Sequence, residues 1–508
     1  MKAIETPLEF IPVPDDGPSL EPAKPRGGAL RVFGISALVL VPCFWQARIQ
    51  AGDLSSHLYN AWLSTLIEQG RAEGLVVVTQ WTNVLFDLLL AGLLQIVGFA
   101  AAQRIAVSLC VLNFVWGAFA LMSAVSRHRA WHMLPYIAIL AYGWVFHLGL
   151  FNFYLSMGLC FWALALLWGK RTGHALAALP LLAVAYVAHA LPVAWIVGAV
   201  GYRWLARQVL PRDRVVLTVA GVAAIYAARR FFMLHYAHRW SPAQAMGITG
   251  ADQVLIFGPK YYVVAVALLF IWSYLMLRQL DRKGGLRTIL GIPFQLFVFI
   301  AATVWLLPGA VMLPGFNHAL DYINDRMSLA AGIAFLALIA GVRPDRWERR
   351  ALAATLGIYF TFLYVDQRAQ NRIEDLMEQA VAQLPPASRV INGLCDNNSR
   401  IHPMAHILDR VCIGKCWSYG NYEPASGAFR VRAAENNSLV VADSIAAEDI
   451  EHGKYVVQVS DPPLYQIFLR DGRLDTRLLK AGDVTASPCF EATPGFGTLS
   501  AEYLHAGY

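Results

Sequence analysis

"VVVTQWTNVLFDLLLAGLLQIVG", residues Val76–Gly98, decides how this chain is threaded. It is apolar and as long as a membrane-crossing segment, roughly 17–25 residues, yet Gln80, Asn83 and Asp87 break it. If it crossed the bilayer, the basic loop that follows would fall on the wrong side under the positive-inside rule. It therefore reads as a helix lying on the membrane surface, inside one large external loop from Gly52 to Gln103. A loop that long, with helices of its own, is a functional element rather than a connector.

Outward from that loop, about eleven apolar stretches read as membrane spans. They are Leu30–Ala47, Arg104–Val125, Met133–Phe146, Phe153–Trp168, Ala175–Val187, Val193–Leu205, Val215–Leu234, Tyr261–Leu277, Thr288–Leu307, Met327–Gly341 and Ala351–Val365. "KPRGGALR" before the first span and the loops "SRHRAWH", "GKRTGH", "RQVLPRDR", "RQLDRKGGLR" and "GVRPDRWERR" are basic, and they alternate with loops poor in Lys and Arg. The N-terminus is thus expected inside and the C-terminus outside. Both "GKRTGH" and "RQVLPRDR" belong on one side, so Ala175–Leu205 reads as two crossings with a break at "AHALP", Ala188–Pro192.

The organisation expected is a disordered cytosolic tail (1–28), a transmembrane domain (29–367, with the loop at 51–103) and an exported α/β domain (368–508). Bulk composition agrees: 57% of the 508 residues are hydrophobic and 15% charged, against about 25% charged in soluble chains, with mean hydropathy +0.47. The net charge of +7 sits largely in the short loops of one side and is no nucleic-acid signal. Trp and Tyr near span ends fit interfacial belts.

Of seven cysteines, Cys43, Cys110 and Cys160 fall in spans, where a lone Cys packs as a small hydrophobe. Cys395, Cys412, Cys416 and Cys489 fall in the exported part, where an oxidising compartment suggests two disulfides with three pairings open. "CIGKC" also allows a zinc reading, the weaker of the two. The exported part joins an amphipathic helix (Arg368–Leu384) to strand-like runs (Ser438–Ser444, Lys454–Ser460, Leu464–Gly472) and contains no recognisable catalytic set.

At the start of the loop, "AGDLSSHLYNAWLSTLIEQGR" (Ala51–Arg71) places Asp53, His57, Asn60 and Ser64 on one helix face, with Leu54, Leu58, Ala61, Trp62 and Leu66 opposite. This is the pattern of an amphipathic helix on the outer membrane surface. Asp53 stands either as an N-cap after Gly52 or as the head of a carboxylate–imidazole pair with His57.

In these segments the chain resembles membrane glycosyltransferases of the GT-C architecture, which take sugar from a polyprenyl-phosphate donor. "GDLSSHLYNAWL" looks like that family's acidic motif after the first span, and "NVLFDLLLAGLLQIVGFAAAQRIAVSL" like its second loop helix running into an arginine-started span. "HLGLFNFYLSMGLCFWALALLWGKR", "LLAVAYVAHALPVAWIV" and "YINDRMSLAAGIAFLALIAG" are similar to segments of bacterial members. The resemblance covers roughly Leu30–Val365 and is one of layout and loose motif. It implies an inverting transfer in a bacterial inner membrane, from a polyprenyl-phosphate sugar to an acceptor glycan, lipid or protein. Asp53 would be the general base, with His57 orienting it, contacting the acceptor or binding a metal. Arg326, and next Arg229 and Arg230, would take the donor phosphate through the planar guanidinium fork. Asn83, Asp87, His147, Asn152, His189 and His318 would line the cavity, and Asp325 would pair with Arg326. A lone Asp53 followed by His57, instead of a paired acidic motif, leaves the use of a divalent metal open.

Three other classes compete. A transporter would carry ionisable residues at mid-membrane depth and internal repeats, whereas here the charges gather at the rim and no repeat is evident. A haem-binding subunit would use His147 and His189, but the chain has no C-x-x-C-H motif. A non-catalytic accessory subunit, with the exported domain binding a partner, is compatible with the sequence.

Overall fold

In a computed structural model the protein is described over residues 28–169, 172–314, 319–394, 399–441, 443–470 and 473–485. The expected tail up to residue 27, His318, Cys395 and Cys489 lie outside the described residues. The Gly28–Leu40 helix is apolar and begins the described chain; from Val39 onward the chain forms one compact unit.

Among the described residues four helices are long and apolar enough to cross a bilayer: Leu85–Ser126, Phe151–Trp168, Arg214–His235 and Pro259–Lys283. Eleven spans are not supported. The expected span Met133–Phe146 breaks at Tyr142–Gly143 into helices Leu134–Ala141 and Trp144–Leu148. Eight residues rise only about 12 Å, less than half of an apolar core about 30 Å thick. Helices Thr172–Ala188 and Ala190–Ala206, 17 residues each, break at His189, inside the segment where the basic loops ask for a turn. Helix Ile292–Leu306 is shorter still at 15 residues.

The deciding stretch is interrupted at both of its ends. Strand Leu75–Val77 opens it, and the Leu85–Ser126 helix that follows changes direction at Gly98, whose φ of 74° and ψ of 172° suit only glycine. Before Gly98 few side chains are buried and Ile96 is 79% exposed; from Ala102 onward one face is continuously buried.

The first half of the loop is covered by the C-terminal region. Strand Leu75–Val77 pairs antiparallel with Val431–Ala433 of the C-terminal region, in the register Leu75↔Ala433 and Val77↔Val431. Helix Leu54–Glu68 is buried on both faces. Its Tyr59, Leu63 and Leu66 join Met377, Val390, Ile407, Leu408 and Val411 in one apolar core. The amphipathic pattern is therefore corrected: the polar stripe is buried beneath the C-terminal region instead of facing water. Ser418 N–H donates to the Tyr59 hydroxyl (2.9 Å) and Asn421 Nδ2 to Asn60 Oδ1 (2.9 Å).

That C-terminal region is a small α/β unit, but of the three runs expected as strands only Leu464–Gly472 supplies one, Leu464–Arg470; the described residues of Ser438–Ser444 form no strand, and Lys454–Ser460 contributes a single bridge at Val456. Its sheet has the spatial order Trp417–Ser418, Arg389–Asn392, Leu464–Arg470, Arg473–Leu479, the first three parallel and the last antiparallel. Cys412 and Cys416 are joined in a disulfide. Helix Arg346–Val381 carries the chain into this unit without a break for 36 residues, a rise of about 54 Å, from an Asp345–Glu348 capping box. Arg410 fixes the unit to its surroundings. It grips the buried Glu374 with two hydrogen bonds of 2.6 Å and donates to Ile49 O and Gln103 Oε1.

Candidate active site

The backbone sets Asp53 in place. Gly52 N–H donates to His147 O (2.8 Å) and Asp53 N–H to Leu148 O (2.9 Å). This close approach depends on Gly149, which adopts φ +91° and leaves no room for a Cβ, since one would lie 2.5 Å from Asp53 N. Asp53 occupies the N-cap position of helix Leu54–Glu68, but its side chain caps nothing. Its carboxylate instead meets His406 Nε2 at 3.4 Å, and His406 Nδ1 lies 3.5 Å from Asp409. Burial lowers the proton affinity of His406, but Asp409 and Asp53 more than offset it and raise its pKa to about 9.

His57, one turn on, does not contact the Asp53 carboxylate. Its Nδ1–H donates to Asp87 Oδ1 at 2.6 Å. Burial works against the imidazolium, yet the Asp87 charge and hydrogen bond, with smaller help from Glu423 and Asp53, lift its pKa to about 9. Asn152 Nδ2 holds the other Asp87 oxygen at 2.8 Å, and Asn152 Oδ1 accepts from Phe86 N–H. Asn152 Nδ2 also reaches the carbonyl of Asn83 (3.3 Å), a residue in the left-handed region at φ 57°. His57, Asn83, Asp87 and Asn152, picked from distant parts of the sequence, thus form one network. Glu423 of the C-terminal region closes it. Ser56 Oγ donates to Glu423 Oε1 (3.1 Å), and burial raises the Glu423 pKa to about 8, His57 pulling the other way. Asp87 and Glu423 share a small cleft with Asn60, Gln80 and Phe429.

Arg326 lies near the same place, with Asp53 and Asp321 the carboxylates it feels most strongly. It does not pair with Asp325, contrary to expectation. Asp325 is bound by Arg400 (2.5 Å), which also takes Asp252 (3.1 Å) and lies over the Trp144 ring. The polar contact of Arg326 is Nη1 to His189 Nε2 at 3.2 Å. His189 Nδ1 already accepts the Leu191 N–H that caps the next helix. A neutral imidazole has a single acceptor nitrogen, so one of these donors is unmatched. Arg326 Nε is buried with no partner among the described residues.

The remaining candidates divide. His147 braces the loop, Nδ1–H donating to Gln50 O (3.2 Å) while Nε2 is buried without a partner. The contacts of Arg229 are the rings of Trp240 and Tyr226, and Arg230 is exposed; none of these contacts joins them to the Asp53 cluster. Among the described residues no three His, Cys, Asp or Glu side chains converge as a metal site requires. Sequence reasoning missed His406, Glu423 and Arg400. The available signals, His406 three residues before Asp409 and a lone acid in "GNYEPASG", are too common to single out.

In comparison with known proteins, no family model, no curated protein and no solved structure matches the chain.

Proposed function

We propose that this chain is a membrane glycosyltransferase of GT-C-like architecture in a bacterial inner membrane. It moves a sugar from a polyprenyl-phosphate donor to an acceptor outside the cytoplasm. In this reading the 17-residue helices cross the bilayer together with the four longer ones, the basic loops face the cytoplasm, and the C-terminal region covers the site from the other side. The observation that carries the reading is that two incompletely satisfied groups share one electrostatic neighbourhood: a carboxylate, Asp53, whose side chain caps nothing, and a guanidinium, Arg326, with an orphaned Nε and Asp53 foremost among the carboxylates acting on it.

In the reaction the acceptor hydroxyl oxygen attacks the anomeric carbon of the donor sugar. The bond from that carbon to the phosphate oxygen breaks, its electron pair leaving with the polyprenyl phosphate, while the hydroxyl proton passes to Asp53. Attack from the side opposite the leaving group inverts the anomeric centre. Arg326 stabilises the charge that grows on the phosphate. His406, held protonated at neutral pH, faces the Asp53 carboxylate across 3.4 Å. His57 is assigned to Asp87 and so shapes the acceptor side without touching the base.

The test is release of polyprenyl phosphate by purified protein from a panel of polyprenyl-phosphate sugars. Turnover by the wild type that Asp53→Asn abolishes supports the transferase and the base. Equal turnover in both moves the base elsewhere. Absence of turnover with every donor, in protein that retains its fold, refutes the reading.

A further inference from the structure

Three of the basic loops, at residues 126–132, 278–287 and 341–350, meet around a cavity of about 730 Å³. It lies where helices Leu85–Ser126 and Pro259–Lys283, two of the four long apolar helices, end, and so at the rim of the membrane, and its lining includes none of Asp53, His57, Asp87, Arg326 and His406. Its walls carry His128, Arg278, Arg282 and Arg343 against one carboxylate, Asp281.

Basic residues at helix C-termini have an ordinary use, since they answer the helix dipole and the exposed last carbonyls. Part of the set is used that way. Arg282 Nη1 donates to Gly341 O (2.5 Å), and Arg278 is neutralised by the buried Glu348 at 2.6 Å. The rest is not. Arg343 is exposed and makes no hydrogen bond or ion pair among the described residues. His128 Nδ1–H donates to Ser126 O, while its Nε2 is buried without a partner. Cations also crowd one another here: Lys283 lies in the repulsive field of Arg282 and Arg127, and His132 in that of His128 and Arg343. Folding gathers like charges in this way at a cost unless an anion joins them.

We propose that this cavity binds a phosphate group, supplied by the headgroup of an anionic phospholipid in the leaflet that borders the basic loops. A phosphodiester offers acceptor oxygens to the guanidinium groups of Arg343 and Arg282 together. The position at the ends of membrane helices fits a headgroup whose acyl chains remain in the bilayer. The inference is independent of the proposed glycosyl transfer.

Full-length protein in phosphatidylcholine nanodiscs doped with phosphatidylglycerol, analysed by native mass spectrometry, tests it. The wild type is expected to retain one phosphatidylglycerol in preference to phosphatidylcholine. Arg343→Gln, at an exposed side chain with no intramolecular bond to lose, lowers that preference about fivefold, and Arg343→Lys largely keeps it. Arg212→Gln, in another basic loop, leaves it unchanged. Retention that millimolar pyrophosphate does not displace confirms the lipid as the source. Pyrophosphate binding that Arg343→Gln abolishes, without lipid preference, overturns the lipid and assigns a soluble phosphate to the same groups. If the wild type prefers neither, or Arg343→Gln and Arg212→Gln behave alike, the site is refuted.

Discussion

Asp87→Asn gives the most direct view of the charge arrangement. In the wild type the Asp87 carboxylate accepts the His57 Nδ1–H at 2.6 Å in a buried setting. A proton held to about pH 9, when an ordinary histidine releases it near 6.5, corresponds to about 3 kcal/mol of native-state stabilisation. The sign follows from the raised value. The unfolded chain loses this proton near 6.5 and the folded chain near 9, so the contribution is complete below pH 6.5, fades between 6.5 and 9 and is absent above. Asparagine keeps the shape and the Asn152 contact but removes the charge, leaving burial to dominate. The His57 midpoint should then fall below 6.5, and the pH dependence of stability between 6.5 and 9 should flatten by about the same 3 kcal/mol. The assay is NMR titration of protein labelled at histidine Cε1, with His57→Gln to assign the resonance. His406 provides an internal control, because its proton is held chiefly by Asp409 and Asp53 and its midpoint should stay near 9 in Asp87→Asn. A wild-type His57 that titrates at or below 6.5, or one indifferent to Asp87→Asn, would refute the reasoning.

Three further predictions follow from the packing around the site. Arg410→Met leaves the buried Glu374 with only Arg48 at 3.4 Å and Gln50 for company, and should cost about 3–5 kcal/mol; thermal unfolding and earlier proteolysis of the C-terminal region report it, and Glu374→Leu in the same chain should recover most of the loss. Gly149→Ala forces a Cβ against Asp53 N in a left-handed backbone, at about 1–3 kcal/mol of strain, and should lower polyprenyl phosphate release at least tenfold while the wild-type circular dichroism spectrum persists; undiminished release would separate Gly149 from the placement of Asp53. Arg326→Gln should reduce the same release about a hundredfold or more, with Arg326→Lys intermediate, and unchanged kinetics would remove Arg326 from the phosphate site.

Much of the site was legible residue by residue, because polar groups inside an apolar run are costly unless they bond to one another. Asn83 and Asp87 stood out against the greasy stretch around them, as did Asn152 and His189 at the ends of apolar segments, and the structure puts the first three in one network with His57. What failed was partner assignment. Spacing placed His57 beside Asp53 on one helix face, but the imidazole turns to Asp87, thirty positions away. Adjacency suggested Asp325 for Arg326, but Arg400 takes it. In both cases the competing group arrives by tertiary contact, which periodicity does not encode. The surface reading of helix Leu54–Glu68 failed for the same reason: an apolar face opposite a polar one marks a boundary, and a folded domain can stand where water was assumed. Span counting failed at Met133–Phe146, where composition gave the length of an apolar run without the break at Tyr142–Gly143.

The distribution of pairs says more about the site than any single residue does. Many buried and half-buried charges here come with partners at short range: Glu374 with Arg410, Glu348 with Arg278, Asp252 and Asp325 with Arg400, and, around the site, Asp321 with Arg239 and Asp87 with His57. This is the pattern expected when desolvating an unpaired charge costs several kcal/mol. Several groups depart from it: the buried Asp461 and Glu423 accept only from neutral donors, the buried Arg203 donates only to carbonyls, and Asp53 and Arg326 stand outside the close pairs as well. Among the described residues Asp53 has only the 3.4 Å contact with His406, an imidazole that Asp409 shares, and Arg326 has no carboxylate at all. Asp53 is the carboxylate whose charge acts most on Arg326, and the Gly149 turn and the Leu191 N–H that occupies His189 hold their surroundings in place. Asp53 and Arg326 come from separate elements, act on one another electrostatically and are less fully matched than the close pairs, and the proposed transfer assigns both to substrate. In that proposal Asp53 takes a hydroxyl proton while Arg326 holds a phosphate charge.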